Sequence, residues 1–344
     1  MAPKHFLMAV DLVNWRWGWR CVLSVGLGVG LGLGLGACGG AEESESGGAN
    51  DGRPAIVATS TILADLTTEL VGDQARVVGL LKPGDDPHIY EPVPQDSRAL
   101  EEADLIVYNG YNLEPQLIRL MRAAGATVPQ VAIAEAAAPL STDYNGATVP
   151  DPHVWGDARN AIAMVERLGG AIAEQFPALG DRVDAQGANL IKTLEALHRW
   201  ISAQIATIPE GQRRLVTSHD AFQYYANAYG IPVAGTLIGI STEEQPSART
   251  VEALASAIRA ARIPTIFAET TVNPALLTTV AAEAGVQLAD QELYADSVGA
   301  PGSGAETYVM MMVANTRAIV EGLGGRYEPF VDPMAAPGGA RSQP

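Results

Sequence analysis

Thiols are nearly missing from this chain: Cys21 and Cys38 are the only cysteines in 344 residues, too few for a disulfide framework. Basic residues are also scarce. The 22 lysines and arginines face 39 acidic residues, a formal charge of −17. That balance excludes a nucleic-acid partner, whose phosphates would be repelled, and favours cations. The sequence contains no His-Glu-x-x-His, no Gly-x-Ser-x-Gly and no dinucleotide glycine fingerprint, so the common signatures of zinc peptidases, serine hydrolases and dehydrogenases are absent. Histidine is rare as well, with His5, His88, His153, His198 and His219 making up the full set. Rarity makes the position of each one informative.

The single long apolar run lies at the beginning. Arg16 and Arg20 precede a glycine-rich hydrophobic stretch from Cys21 to Ala37, the layout of a secretory signal, and it is short for a bilayer span. The run closes on Leu35-Gly36-Ala37-Cys38, which resembles the bacterial lipobox. That resemblance implies cleavage after residue 37 and a diacylglyceryl anchor on Cys38, leaving no thiol free to pair. Removal of residues 1–37 takes away Lys4, Arg16 and Arg20 against Asp11 alone, so the remainder is more acidic still. Residues 38–53, acidic and Gly/Ser-rich without apolar periodicity, read as a flexible tether.

From residue 54 short β-branched runs alternate with helical patterns. Strands are expected at 55–58, 76–81, 104–108 and 130–133, and helices at 61–71, 96–103, 113–124 and 159–176. Residues 181–208 then carry Val183, Leu190, Leu194, Leu197, Ile201 and Ile205 at helical intervals with no proline, long for a globular helix. Beyond Pro209 the alternation restarts, with strands at 214–217, 232–237, 264–268 and 286–289. Helices there are expected at 220–229, 247–262, 273–284 and 305–323. This order defines an α/β protein with parallel sheets. Two lobes, 54–180 and 209–328, flank a linking helix at 181–208, and residues 329–344 form a frayed tail.

One phrase is said twice: Asp86-Pro87-His88-Ile89-Tyr90 and Asp151-Pro152-His153-Val154-Trp155. Proline stiffens each loop and presents the following imidazole from outside a regular element. His219 follows the apolar run Leu215–Ser218. In open α/β sheets ligands collect at the carboxyl ends of strands, which places His88 and His153 on one lobe's loops and His219 on the other's. Asp296, after the last strand, supplies a fourth donor. His88, His153, His219 and Asp296 thus form a closed metal-ligand set in the interlobe cleft, with no open position for a reacting water. His198 reads as structural. Asp86 and Asp151 read as residues that order the loops, Glu91 as another candidate for that task, Met310–Met312 as core filling, and Glu243-Glu244 has no assigned role.

These stretches, with Thr217-Ser218-His219-Asp220-Ala221-Phe222, Ile240-Ser241-Thr242-Glu243-Glu244, Phe267-Ala268-Glu269 and Asp296-Ser297, resemble the metal-binding solute-binding lipoproteins of bacterial zinc and manganese ABC importers. The resemblance covers about residues 54–325. It implies two (βα)4-type lobes joined by a rigid helix, with His88, His153, His219 and Asp296 at the four ligand positions. It further implies a non-enzymatic monomer, held outside the cytoplasm on the bilayer by acylated Cys38, that delivers metal to a membrane permease and its ATPase. Three imidazoles and a carboxylate suit Zn²⁺, with Mn²⁺ the alternative. Several features depart from the family's pattern. Ser141–Val149 lacks the histidine-rich loop of many zinc members, and His219 replaces the glutamate of many manganese members. Gly156, where leucine is usual, is expected to loosen packing beside His153. A zinc-dependent hydrolase and a surface adhesin on the same fold are the competing functions.

Overall fold

The run Ala55–Ala58 is buried at every residue, as expected of a strand covered on both faces of a parallel sheet. In the computed structural model, which describes residues 52–144 and 146–334, this run is β1 and lies inside the first sheet. Around it come α1 (Thr61–Val71), β2 (Arg76–Gly79), α2 (Pro94–Glu101), β3 (Leu105–Tyr108), α3 (Pro115–Ala123) and β4 (Gln130–Ala132). The sheet order is β2-β1-β3-β4, all parallel, with Val57 beside Val78 and Ile106.

An unforeseen antiparallel hairpin follows, β5 (Ser141–Tyr144) with β6 (Ala147–Pro150). Its sequence signal is Asn145-Gly146 between threonine- and valine-bearing runs, in a segment to which no strand was assigned above. The hairpin leads into the second histidine phrase and then α4 (Ala158–Gln175), whose N-terminal N–H at Arg159 is capped by the Asp157 carboxylate.

Helix α5 (Gly180–Ala206) has 27 residues, a rod of about 40 Å. It packs against α1 and α4 of the first lobe and against α6 (Gln223–Tyr229) and α9 (Tyr308–Gly322) of the second. Val183, Leu194, Leu197, Ile201 and Ile205 of this helix are buried in one continuous core shared with β1, β3, α6 and α9. Both lobes are therefore fastened to the same apolar stripe.

The second lobe repeats the plan of the first. Strand β7 (Leu215–Thr217) pairs in parallel with β8 (Val233–Thr236), and β9 (Thr265–Ile266) with β10 (Gln287–Leu288). The Phe267 N–H donates to Val216 O at 2.9 Å and joins the two pairs. Helices α7 (Ala248–Ala261) and α8 (Ala275–Ala284) cover the outer face around Val216, Leu254, Ile258, Ile266 and Val280.

Several elements are shorter than their sequence patterns. Helix α6 starts at Gln223 rather than 220, because His219–Phe222 turn to aim the histidine inward. Helix α9 starts at Tyr308 rather than 305, because the Thr307 hydroxyl caps it by accepting the Met310 N–H. Strands β9 and β10 keep only two residues each. Among the described residues no helix is long and apolar enough to cross a membrane. Cys38, the signal region and most of the tether and tail lie outside the described residues.

Candidate metal centre

The repeated Asp-Pro-His phrase folds the same way twice. Asp86 Oδ1 accepts the His88 N–H at 2.9 Å, and Asp151 Oδ1 accepts the His153 N–H at 2.9 Å. Each is a turn in which an aspartate side chain binds the N–H two residues on, and the intervening proline removes the competing donor. The turns face the imidazoles into the protein, where His88 is 3% exposed and His153 fully buried. Tyr90, rather than the exposed Glu91, ties down the first loop, donating its hydroxyl to Asp96 Oδ2 at 3.0 Å.

His219 reaches the same spot from the end of β7 by a different device. Its N–H donates to Glu269 Oε1 at 2.8 Å, and its Nδ1 faces Glu269 Oε2 in a short contact. His153 has the matching partner in Asp151 Oδ1, 2.8 Å from its Nδ1. Two of the three rings therefore hold Nδ1 against a buried carboxylate, which turns Nε2 toward the centre and fixes the tautomer that offers a lone pair there. Glu269 was not singled out from the sequence as a site residue. Its signal was an acid directly after the buried Phe267-Ala268.

The ligand atoms of His88, His153, His219 and Asp296 all lie within 4.8 Å of one another, and all four residues are buried. The His88 and His153 Nε2 atoms are 3.2 Å apart, His153 Nε2 is 3.4 Å from Asp296 Oδ1, and His219 Nε2 is 3.2 Å from Asp296 Oδ2. The His88 Nε2 to Asp296 Oδ2 distance is 4.0 Å. A tetrahedron with bonds of about 2.0–2.1 Å has edges of about 3.3 Å. Both Asp296 oxygens and His219 Nε2 are buried without a hydrogen bond. Leaving a buried carboxylate unsatisfied is costly, and a cation at the shared centre removes that cost.

Charge shapes the set further. Burial alone would lower the affinity of the His219 ring for a proton, but Glu269 and Asp296 overcome it and hold the group well above the ordinary histidine range. Burial pushes His88 down to about 3 against the pull of Asp296. Asp296 is opposed by its own burial, yet the three imidazoles bring its carboxyl far below the usual range. Burial and the neighbouring Asp296 push Asp86 up to about 6, against hydrogen bonds from Thr242 and the His88 N–H.

His198 stays outside this cluster, beside Tyr229 at a ring separation of 5.3 Å and 3.7 Å from Asp157. Met311 and Met312 are core residues. Gly156 does not loosen its surroundings. A Cβ there would lie 3.1 Å from the Tyr225 backbone N and 3.4 Å from the Tyr224 Cβ, so helix α6 already fills that space.

Two α/β lobes on one rod, with four converging buried donors between them, define a metal-binding component of the solute-capturing kind. The comparisons agree. A family described as "Zinc-uptake complex component A periplasmic" matches residues 56–322. The manganese-binding lipoprotein MntA of Halalkalibacterium halodurans is 34% identical over 286 residues, 83% of this chain and 93% of that one. The metal ABC transporter substrate-binding lipoprotein FimA of Streptococcus parasanguinis is 30% identical over 288 residues, 82% of this chain and 92% of that one. The solved periplasmic zinc-binding protein TroA from Treponema pallidum superposes with a TM-score of 0.75 at 29% identity, covering 79% of this chain and 99% of that one. The chain belongs to the zinc-uptake component A family of metal ABC transporter substrate-binding proteins. It is a carrier of metal ions rather than an enzyme.

Proposed function

We propose that His88, His153, His219 and Asp296 bind one Zn²⁺ outside the cytoplasm and deliver it to a membrane permease driven by an ATPase. Cys38 carries the lipid that keeps the protein at the bilayer, with residues 1–37 removed and 38–53 as the tether. The observation that carries this reading is the buried donor set, all within 4.8 Å of one another and with three separations of 3.2–3.4 Å, around a carboxylate with no hydrogen bond. Three imidazoles and one carboxylate form a closed set for Zn²⁺, and zinc outcompetes manganese at mixed nitrogen and oxygen sites.

A second reading, Mn²⁺, is favoured by one feature of the site. Each Asp296 oxygen faces an imidazole Nε2 and neither has a hydrogen bond, so a two-oxygen grip would give a fifth donor and suit a harder ion. The MntA relative is named for manganese. Elemental analysis of protein purified without added metal, followed by competition between zinc and manganese, separates the two. One equivalent of zinc that manganese does not displace supports the first reading, and preferential manganese retention overturns it.

A further inference from the structure

Chain order divides the metal centre two by two, with His88 and His153 on the first lobe and His219 and Asp296 on the second. The hydrogen bonds divide it differently. The residues on either side of Asp296 bond the first lobe, although Tyr294, just before them, is tied to Asn315 of α9 through both its N–H and its carbonyl at 2.8 Å. On one side Trp155 Nε1–H donates to Ala295 O at 2.9 Å. On the other, Ser297 Oγ accepts from Gly84 N–H at 3.0 Å and from Thr61 Oγ1 at 3.1 Å, and Val298 N–H donates to Thr61 Oγ1 at 3.0 Å.

The three first-lobe residues are placed to matter. Thr61 opens α1, Gly84 lies in the loop that carries His88, and Trp155 follows His153 by two residues. Ser297 is 1% exposed, and its hydroxyl also donates to Val298 O at 3.0 Å. Helix α9 begins on the same lobe, with Tyr308 N–H on Asp65 Oδ2 at 2.7 Å and Tyr308 OH on Trp155 O at 2.6 Å. Because neither Asp296 oxygen has a hydrogen bond of its own, the carboxylate is placed by the backbone on either side of it.

His219 has the opposite allegiance. Its N–H and ring bind Glu269, its carbonyl accepts the Thr217 hydroxyl at 2.8 Å, and the Asp220 N–H donates to Gly239 O at 3.1 Å. All of these belong to the second lobe. The hydroxyl contacts that α6 makes to the first lobe come later, from Tyr224 to Asp151 O and from Tyr229 to the Ala158 N–H.

Resting on the reading of the four side chains as ligands of one cation, we infer that Ser297 and Thr61 are positioning residues that fasten Asp296 to the first lobe. His88, His153 and Asp296 then form one preset three-donor unit, and the site opens along the line between that unit and His219. Release starts with the loss of one imidazole rather than with two donors leaving together.

The test is the zinc dissociation rate of the loaded full chain mixed with excess chelator. Ser297→Ala and Thr61→Val release zinc roughly ten-fold faster or more, while Thr61→Ser, which keeps the hydroxyl, stays at the wild-type rate. The double variant Ser297→Ala/Thr61→Val is faster than either single variant, because each single leaves one tie standing, but by less than the product of the two effects, because both remove the Thr61–Ser297 bond. Each single substitution leaves an N–H without its acceptor and lowers the melting temperature of the metal-free protein, whereas Leu197→Ala, which lowers it through the core and touches no donor, leaves the release rate at the wild-type value. His219→Ala still forms a weaker one-to-one zinc complex, and adding Ser297→Ala weakens it again. Wild-type release rates in Ser297→Ala and Thr61→Val would overturn the inference. So would a Thr61→Ser variant as fast as Thr61→Val, or rates that merely follow a fall in metal-free stability. Failure of the ligand reading looks different: Asp296→Ala would bind zinc as wild type does.

Discussion

At the scale of single residues, buried carboxylates are the main structural feature of this site. Asp151 and Glu269 each bind a histidine through both its N–H and its Nδ1. Glu269→Gln keeps the shape but gives up the charge that fixes the His219 ring. Metal affinity should fall about 10–100-fold, measured by competition with a chromophoric chelator. Protons compete with the metal most directly at His219. Its raised affinity for a proton means that a contribution to metal-free stability is present below the ordinary histidine value and lost as pH rises through the higher folded value. Asp86, raised to about 6, has the same sign. Going from about pH 8 to about pH 6, His219 makes the metal-free protein more stable, His88 works against it because its ring gains a proton only on unfolding, and Asp86 adds its share mainly below pH 6. Over that interval metal affinity falls by up to about ten-fold per pH unit for the proton displaced from His219. Calorimetry of the metal-free protein alongside zinc titrations at each pH checks both signs.

At the scale of elements, the turn Val154–Gly156 and helix α6 are fitted to each other. Tyr224 of that helix donates to Asp151 O at 2.8 Å and its oxygen accepts the Leu140 N–H at 2.8 Å. Gly156→Leu forces a side chain into space held by the Tyr225 backbone. The cost should be about 1–3 kcal/mol, read as a lower melting temperature of the metal-free protein. Zinc binding should weaken with it, since α6 is displaced from the His153 loop. A variant as stable as wild type would show that the helix has room to retreat. The long helix and the first-lobe elements were readable in advance because their apolar residues recur at regular intervals. The hairpin was missed because its strands are half exposed and its threonines carry little apolar pattern. Strands β9 and β10 were overestimated, since a buried apolar run does not say where hydrogen bonding to a neighbour stops.

At the scale of the whole molecule, one core crosses from lobe to lobe through α5. The lobes should therefore unfold together, with tryptophan fluorescence and far-ultraviolet dichroism giving coincident transitions. Leu197→Ala, in the middle of the rod, should cost about 2–5 kcal/mol and lower that single transition without splitting it. Separate transitions for the two lobes would contradict the shared core. Metal at about 100 times its dissociation constant should add about 2.7 kcal/mol to the same transition.

The sequence by itself determined the class of the molecule: alternating strand and helix patterns, one proline-free rod, and four metal-loving side chains carried on strand-end loops. Those features are local, because periodicity and proline act within a few residues of themselves. Only the tertiary structure decided that Glu269 stands behind His219, that Gly156 is crowded rather than loose, and that the residues flanking Asp296 bond Thr61, Gly84 and Trp155. Partners separated by 50 residues in one case and by more than 130 in others leave no mark on local pattern, since folding alone brings them within hydrogen-bonding distance.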